Sequence, residues 1–315
     1  IIIRTIMALT IFSPLPVMAQ PSGQPIRLIV PYPPGGAADT LARIVATPLG
    51  PILGQQVIVE NRPGAAGAIG AASVSRATPD GQTLLFTNLG PRAIAPAMNK
   101  NAGYDPVKDF AAVSLVARSP LLFVTHPSVN AKDLPSLINL AKQNPGKIEF
   151  SSAGMGSFGH LATELFAHEA GIRLLHVPYQ GQAPALTSVL SGEVKISLTS
   201  PSSAMFDMIR SDKIRLLGVS SREPSRLAPG AIPIANTLPN FEAQFWFGVV
   251  APAKTSEATV KKLNEGIQKV LSDPAMAQRL EALGSEVATG SAQDFQKLLA
   301  SEAERWRGVV KATKI

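Results

Sequence analysis

The sequence predicts an α/β fold in two lobes, each a mostly parallel sheet flanked by helices, with a cleft between the lobes. Three observations carry this prediction. Strand-like and helix-like segments alternate through most of the 315 residues, the pattern of βαβ units and a parallel sheet. One local plan, a strand followed by a Gly-rich turn and a helix, occurs twice, at Gly35-Gly36 and at Gly154 to Gly159. The chain is also too long for one small core and suits two.

Each element follows in order. Ile26 to Val30 reads as a buried strand, "PYPPGG" as a turn, and Ala37 to Leu49 as a helix by its apolar spacing. "QQVIVEN" supplies a second strand, "RPGAAGAIGAASVSRA" a Gly-rich turn and a small-residue helix, and "QTLLFTN" a third strand. In the middle, "LLFVTHPS", "IEFSS", "LLHVPY", "VKISLTS" and "IRLLGVSS" are strand-like, with helix-like pieces such as Leu161 to Ala170 and Ala183 to Leu190 between them. "FWFGVVAP" is a further strand. The tail is helical: Ser256 can start one helix, and Asp273-Pro274 a second, since Pro suits the first helical position. Ser291 with Asp294 is a near capping box for a third. These tail helices show no titratable cluster and are expected to return to the first lobe. The division expected is a leader over 1–19, lobe one over 20–122, lobe two over 123–245 and a return to lobe one over 246–315, with chain crossings near residues 120 and 245.

Composition narrows the function. Arg4 precedes the apolar run "TIMALTIFSPLPVM", and Val17-Met18-Ala19 fits a small-residue cleavage site, so residues 1–19 read as a secretory signal peptide and the mature protein as exported. The chain starts at Ile1, so the beginning of that leader is not secured. No later stretch offers the ~18 uninterrupted apolar residues of a membrane helix. The absence of cysteine excludes disulfides, thiol nucleophiles and thiolate metal sites. Lys and Arg exceed Asp and Glu by 29 to 22, a net charge of +7, but they are scattered and only 5% of residues are aromatic. That argues against nucleic acid and for a mild field favouring small anions.

Both Gly-rich loops fall at the carboxyl ends of strands, where parallel sheets bind ligands. Each exposes the unpaired N–H groups of a helix's first turn, backed by the positive end of the helix dipole. Two such loops across a cleft would receive a small dianion; tight βα turns are the alternative for each. Gly154-Met155-Gly156-Ser157-Phe158-Gly159 spells a dinucleotide fingerprint, but that reading needs an acidic residue about 20 positions on, and residues 172–185 contain none. His160 stands in the first helical turn and could contact an anion. His160 and His168 are too far apart along a helix to share a metal. Ser157 lacks the Gly two positions before it that a nucleophile elbow requires. Asp39 with Arg43 is an i,i+4 pair that could also draw N–H groups away from a ligand. Thr87-Asn88 and Thr199-Ser200 end strands and are placed to face the cleft. No catalytic constellation emerges, and no cofactor or metal is expected.

The blocks "YPPGGAADTLAR", "VIVENRPGAAGAIGA", "ATPDGQTLL", "SSAGMGSFGHLATELF", "HVPYQGQAPAL" and "FWFGVVAPAKTSEATVKKLN" resemble, in order, the Bug family of periplasmic substrate-binding proteins of tripartite tricarboxylate transporters. The resemblance implies a type II-like periplasmic binding protein, not an enzyme, that closes on a small organic carboxylate and presents it to membrane subunits. Delivery to a sensor kinase is the alternative role, an α/β enzyme acting on a carboxylate is a further one, and a monomer is the expected state. The resemblance also implies that the loops Pro33 to Ala37 and Ala153 to His160 grip the ligand. With the strand-end residues, the expected ligand-binding set is Tyr32, Pro33, Pro34, Gly35, Gly36, Ala37, Thr87, Asn88, Ala153, Gly154, Gly156, Ser157, His160, Tyr179 and Thr199. There is one departure. Where the family usually carries an Asp near a strand end, this chain has Thr199, which cannot pair with a cation, so a ligand without an ammonium group is expected.

Overall fold

The computed structural model describes residues 23–94, 96 and 103–313; the expected leader lies outside them. In the first lobe β1 (Ile26–Val30), β2 (Val57–Asn61) and β3 (Thr83–Asn88) pair in parallel, joined through α1 (Ala37–Leu53) and α2 (Ala68–Ser75). Helix α1 buries Leu41, Ala42, Val45, Ala46 and Leu49 on one stripe and ends at Gly54, in the left-handed region at φ 69°. The helix runs four residues beyond the expected end at Leu49, through Pro51. Leu53 is buried beside Gly266, where a Cβ would stand 2.8 Å from the Leu53 side chain. Burial of that extra turn outweighs the N–H that Pro51 lacks.

The second lobe holds β5 (Leu122–Thr125), β6 (Glu149–Ser152), β7 (Leu175–Pro178), β8 (Ile196–Thr199) and β9 (Arg215–Val219). Its helices are α3 (Leu134–Gln143), α4 (Phe158–Ala170), α5 (Gln182–Leu190) and α6 (Ser203–Arg210). The chain leaves the first sheet on β4 (Phe110–Pro120) and returns to it on β10 (Gln244–Pro252). The tail adds α7 (Glu257–Leu271), α8 (Pro274–Ala282), the short β11 (Glu286–Val287) and α9 (Ala292–Thr313). The sheet orders are β11-β4-β10-β3-β1-β2 and β7-β6-β8-β5-β9.

Both sheets are mixed rather than mostly parallel. The parallel part in each is the βαβ set, β1-β2-β3 and β6-β7-β8. β10 runs antiparallel to β3 and β4, and β5 antiparallel to β8 and β9. The reason is geometric. A strand entering a sheet from the gap between lobes starts at the end where the βαβ strands finish, so it must run against them. β5 and β10 are those entering strands.

The two crossings are pinned to each other. Leu121 N–H donates to Ser220 Oγ at 2.7 Å, and Ser220 N–H donates to the Leu121 carbonyl at 2.9 Å. Ala243 N–H donates to the Ser220 carbonyl at 3.1 Å, while the Ser220 hydroxyl donates to the Ala243 carbonyl. Ser220 is buried.

The tail corrects one expectation. α9 carries a buried titratable residue, Glu302, and reaches the second lobe. Trp306 meets Phe158, the first residue of α4, edge-on at 5.3 Å. Trp306 Nε1 donates to the buried Glu302 carboxylate at 2.8 Å, and Arg305 donates to the Glu242 carbonyl at 2.9 Å. Burial pushes the Glu302 carboxyl up from its ordinary range. The apolar spacing of α9 is visible in the sequence, but Glu302, four residues before Trp306, looks like a solvated position until the partner lobe covers it.

Replacing Ser220 by Ala leaves the buried Leu121 amide and Ala243 carbonyl each short of a partner, at a cost of about 1–3 kcal/mol for such a group. Urea unfolding of Ser220→Ala should show that loss; an unchanged midpoint and slope would mean the crossings are held by other contacts.

Candidate ligand-binding cleft

The loop from Tyr32 to Ala37 is shaped by an internal carboxylate. Gly35 adopts φ 83°, open to glycine and costly for other residues, and its N–H donates to Asp39 Oδ2 at 2.9 Å. Asp39 Oδ1 also accepts from Arg43 Nε at 3.0 Å and Asn61 Nδ2 at 2.9 Å, and Asn61 Nδ2 donates to the Tyr32 carbonyl at 3.1 Å. Burial alone would raise this carboxyl, but the donors from Arg43, Gly35 and Asn61 bring it down to about 2. Tyr32 donates its hydroxyl to Asn88 Oδ1 at 2.8 Å, and burial pushes the phenol up to about 12. Gly36 caps α1 in an extended conformation with no side-chain cap, so the first-turn N–H groups of Ala37 and Ala38 find no protein acceptor among the described residues.

The second loop mirrors this. Gly154 and Gly156 take φ 131° and 72°. Gly156 N–H donates to His160 Nδ1 at 3.0 Å, which fixes the neutral tautomer with its proton on Nε2, 3.9 Å from Glu164 Oε1. The His160 ring lies on His176 at 3.8 Å and 10°, and His176 stacks on Phe150 at 4.8 Å. Burial first, and then the neighbouring His176, lowers His160 to about 4. Ser157 caps α4, its Oγ accepting from His160 N–H at 3.4 Å, while the N–H groups of Phe158 and Gly159 find no acceptor among the described residues. A Cβ on Gly159 would stand 2.6 Å from the Leu198 carbonyl. Glycine there lets the start of α4 lie directly against the end of β8.

Both helix starts open on one space. A cavity of about 330 Å³ is lined by Ala37 from the first lobe, by Ala153, Ser157, Phe158 and Gly159 from the second, and by the ends of β4 and β8 at Ser119 and Thr199. A wider chamber of about 620 Å³, lined by Tyr32 to Ala38 and Asn88, shares Ala37, Phe245 and Phe247 with it. Phe158 meets Phe245 at 5.4 Å and Phe245 meets Phe247 at 5.1 Å, both edge-on, which gives the cleft an aromatic wall. Among the described residues, no charged side chain lines either space.

Of the expected residues, Tyr32, Pro33, Pro34, Gly35, Gly36, Ala37, Asn88, Ala153, Ser157 and Thr199 line these spaces. Gly154, Gly156, His160 and Tyr179 are not among the lining residues: His160 is buried and committed to Gly156, and the Tyr179 hydroxyl is buried with no partner among the described residues. Thr87 does not reach the cleft. It is fully buried in β3, because strand alternation sends it to the opposite face from Asn88. Residues not foreseen are Phe158, Gln182, Phe245, Phe247, Leu283 and the Ser119–Ser285 pair. Phe245 and Phe247 had a legible signal, two aromatics at period two where a strand begins. Ser119 and Ser285 had none, being brought together only by the fold.

Among the described residues, no group of His, Asp and Glu could hold a metal ion, and no helix is long and apolar enough to cross a membrane. Two mixed α/β lobes joined by two pinned crossings, with helix starts facing one uncharged cavity, define a solute-binding protein of the two-lobed class. Residues 41–315 match the family described as the tripartite tricarboxylate transporter family receptor. The chain belongs to that family of periplasmic binding proteins. Protein BugT of Bordetella pertussis is 35% identical over 293 residues, which cover 92% of this chain and 89% of BugT. The structure of R. palustris Rpa4515 with adipate shares 32% identity at a TM-score of 0.71, covering 91% of this chain and 96% of that one. MatC of Rhodopseudomonas palustris with bound malate shares 29% at a TM-score of 0.69, over 90% and 98%.

His160 gives this site a pH signature. Its folded value lies below the ordinary value of 6.5, at about 4, so the unfolded chain binds the proton more readily between those limits. The neutral imidazole therefore contributes stability that is complete above pH 6.5 and is lost as pH falls from 6.5 to about 4. The difference in unfolding free energy between the native protein and His160→Gln, followed in urea from pH 7 to 4, should shrink across that window. Parallel curves would exclude the assignment.

Proposed function

We propose that this protein captures a small organic carboxylate by closure of its two lobes and presents it to the membrane subunits of a tripartite tricarboxylate transporter. The observation that carries the reading is the pair of helix starts, at Ala37 and at Phe158–Gly159, which line the same cavity and whose N–H groups find no acceptor among the described residues. Anions bind at helix N-termini because several N–H groups point outward there and the helix dipole favours negative charge. The adipate-bound and malate-bound relatives support a carboxylate as the ligand. In this proposal residues 1–19 export the chain, 20–122 and 246–315 form one lobe and 123–245 the other, and the receptor works as a monomer without catalysing a reaction. Closure is a hinge movement, and the Leu121–Ser220–Ala243 tie is its fixed point.

The ligand carries no ammonium group. Thr199 lines the cavity where an acidic residue would be needed, and no carboxylate side chain is among the lining residues. An ammonium buried there would lack a counter-charge.

Gly36 offers a clean test of the cradle. Its φ of −78° suits any residue, and a Cβ would meet nothing nearer than the Pro33 carbonyl at 3.8 Å. Gly36→Val should therefore fold cooperatively with near-native stability while filling the space before the α1 start. Calorimetry should show carboxylate affinity falling by at least about tenfold; unchanged affinity would remove this loop from the site. In the same titrations of the native protein, succinate should bind more tightly than aspartate, and the reverse order would sink the Thr199 argument.

A further inference from the structure

The two ligand-bound relatives differ in kind. Adipate is a plain hydrocarbon chain between carboxylates, whereas malate carries a hydroxyl on its chain. The lining of this cleft distinguishes between them. Resting on the carboxylate reading above, we infer that the ligand is a carboxylate with an apolar, unhydroxylated body, held against the wall formed by Phe158, Phe245 and Phe247.

The cleft looks polar from its residue types, but most of its polar side chains already hold a protein partner. Ser119 and Ser285 bond each other at 2.7 Å. Ser152 bonds His176 Nε2 at 2.7 Å and its own loop at the Gly154 carbonyl. Ser157 caps α4, and Gln182 Nε2 donates to the Ser200 carbonyl at 2.7 Å. Asn88 Oδ1 accepts from both Tyr32 and Gly90. The hydroxyls of Thr199 and Ser200 hold no protein partner among the described residues, and they follow Leu198, whose carbonyl lies against Gly159 at the start of α4. That is the place of a carboxylate head, not of the ligand's middle.

The middle is apolar. Phe158 and Phe245 are only half-buried, and Leu283, at 41% exposure, projects an aliphatic side chain at the same cavity. Such surface gains by being covered with hydrocarbon. A ligand hydroxyl laid against these rings would give up its water for no protein partner.

The test is calorimetry on the dialysed full chain with matched probes. From succinate through glutarate to adipate, each methylene should tighten binding by about fourfold while room remains. Malate should bind at least about tenfold more weakly than succinate, and 2-hydroxyglutarate likewise against glutarate. Leu283→Ser, at an exposed position that folding does not depend on, should flatten the methylene series without abolishing binding. A hydroxylated acid that binds as tightly as its parent overturns this inference and leaves the carboxylate reading standing. If no acid of either kind binds, the carboxylate reading itself falls, and this inference with it.

Discussion

The constraint on which the architecture depends is that one chain must cross the gap between two sheets and come back. Parallel βαβ strands in both lobes end at the gap, so each sheet must accept one strand that begins there and runs the other way. β5 and β10 are those strands, and the rest follows from them. Because β10 enters at the gap, Phe245 and Phe247 fall at the cleft, with Phe247 directly opposite Asn88 in the pairing with β3. Because β5 follows β4 after the single residue Leu121, that crossing is too short to wander. The longer return through Ser220 and Ala243 is hydrogen-bonded onto it.

The cleft that results handles charge without side-chain charges. Its candidate anion donors are backbone N–H groups at helix starts, and its titratable neighbours are turned inward: Asp39 toward Gly35 and Arg43, and the neutral His160 toward Gly156. A backbone donor set has a fixed protonation state, so its attraction for an anion does not depend on titration. Only its supports titrate. This separates recognition from the mildly basic surface, whose role is long-range attraction.

Much of this was legible in the sequence, and the failures have specific causes. The βαβ order, both Gly-rich turns and the N-caps at Ser256 and Asp273 could be read because each rests on local periodicity or capping chemistry. Strand direction was not readable, since an isolated apolar run such as "FWFGVVAP" looks the same in either orientation. Thr87 was misplaced because adjacent strand residues face opposite ways, and which of them faces the cleft depends on register. The buried Glu302 was missed because only the packing of α9 across to Phe158 takes it out of water. Within the candidate site, the loops were readable while the walls were not. Ser119 and Ser285 lie 166 residues apart, and nothing local connects them.

The bond from Gly35 to Asp39 has a consequence for how fast the protein can work. A Gly-Pro loop that had to fold around its ligand would lose conformational freedom at the moment of capture, and affinity would bear that loss. Here the loop is already wrapped around a carboxylate of its own, that of Asp39. It holds, at all times, the curvature an incoming carboxylate would otherwise have to impose. The encounter can then proceed as contact with a finished surface, leaving the slow step to the movement of whole lobes.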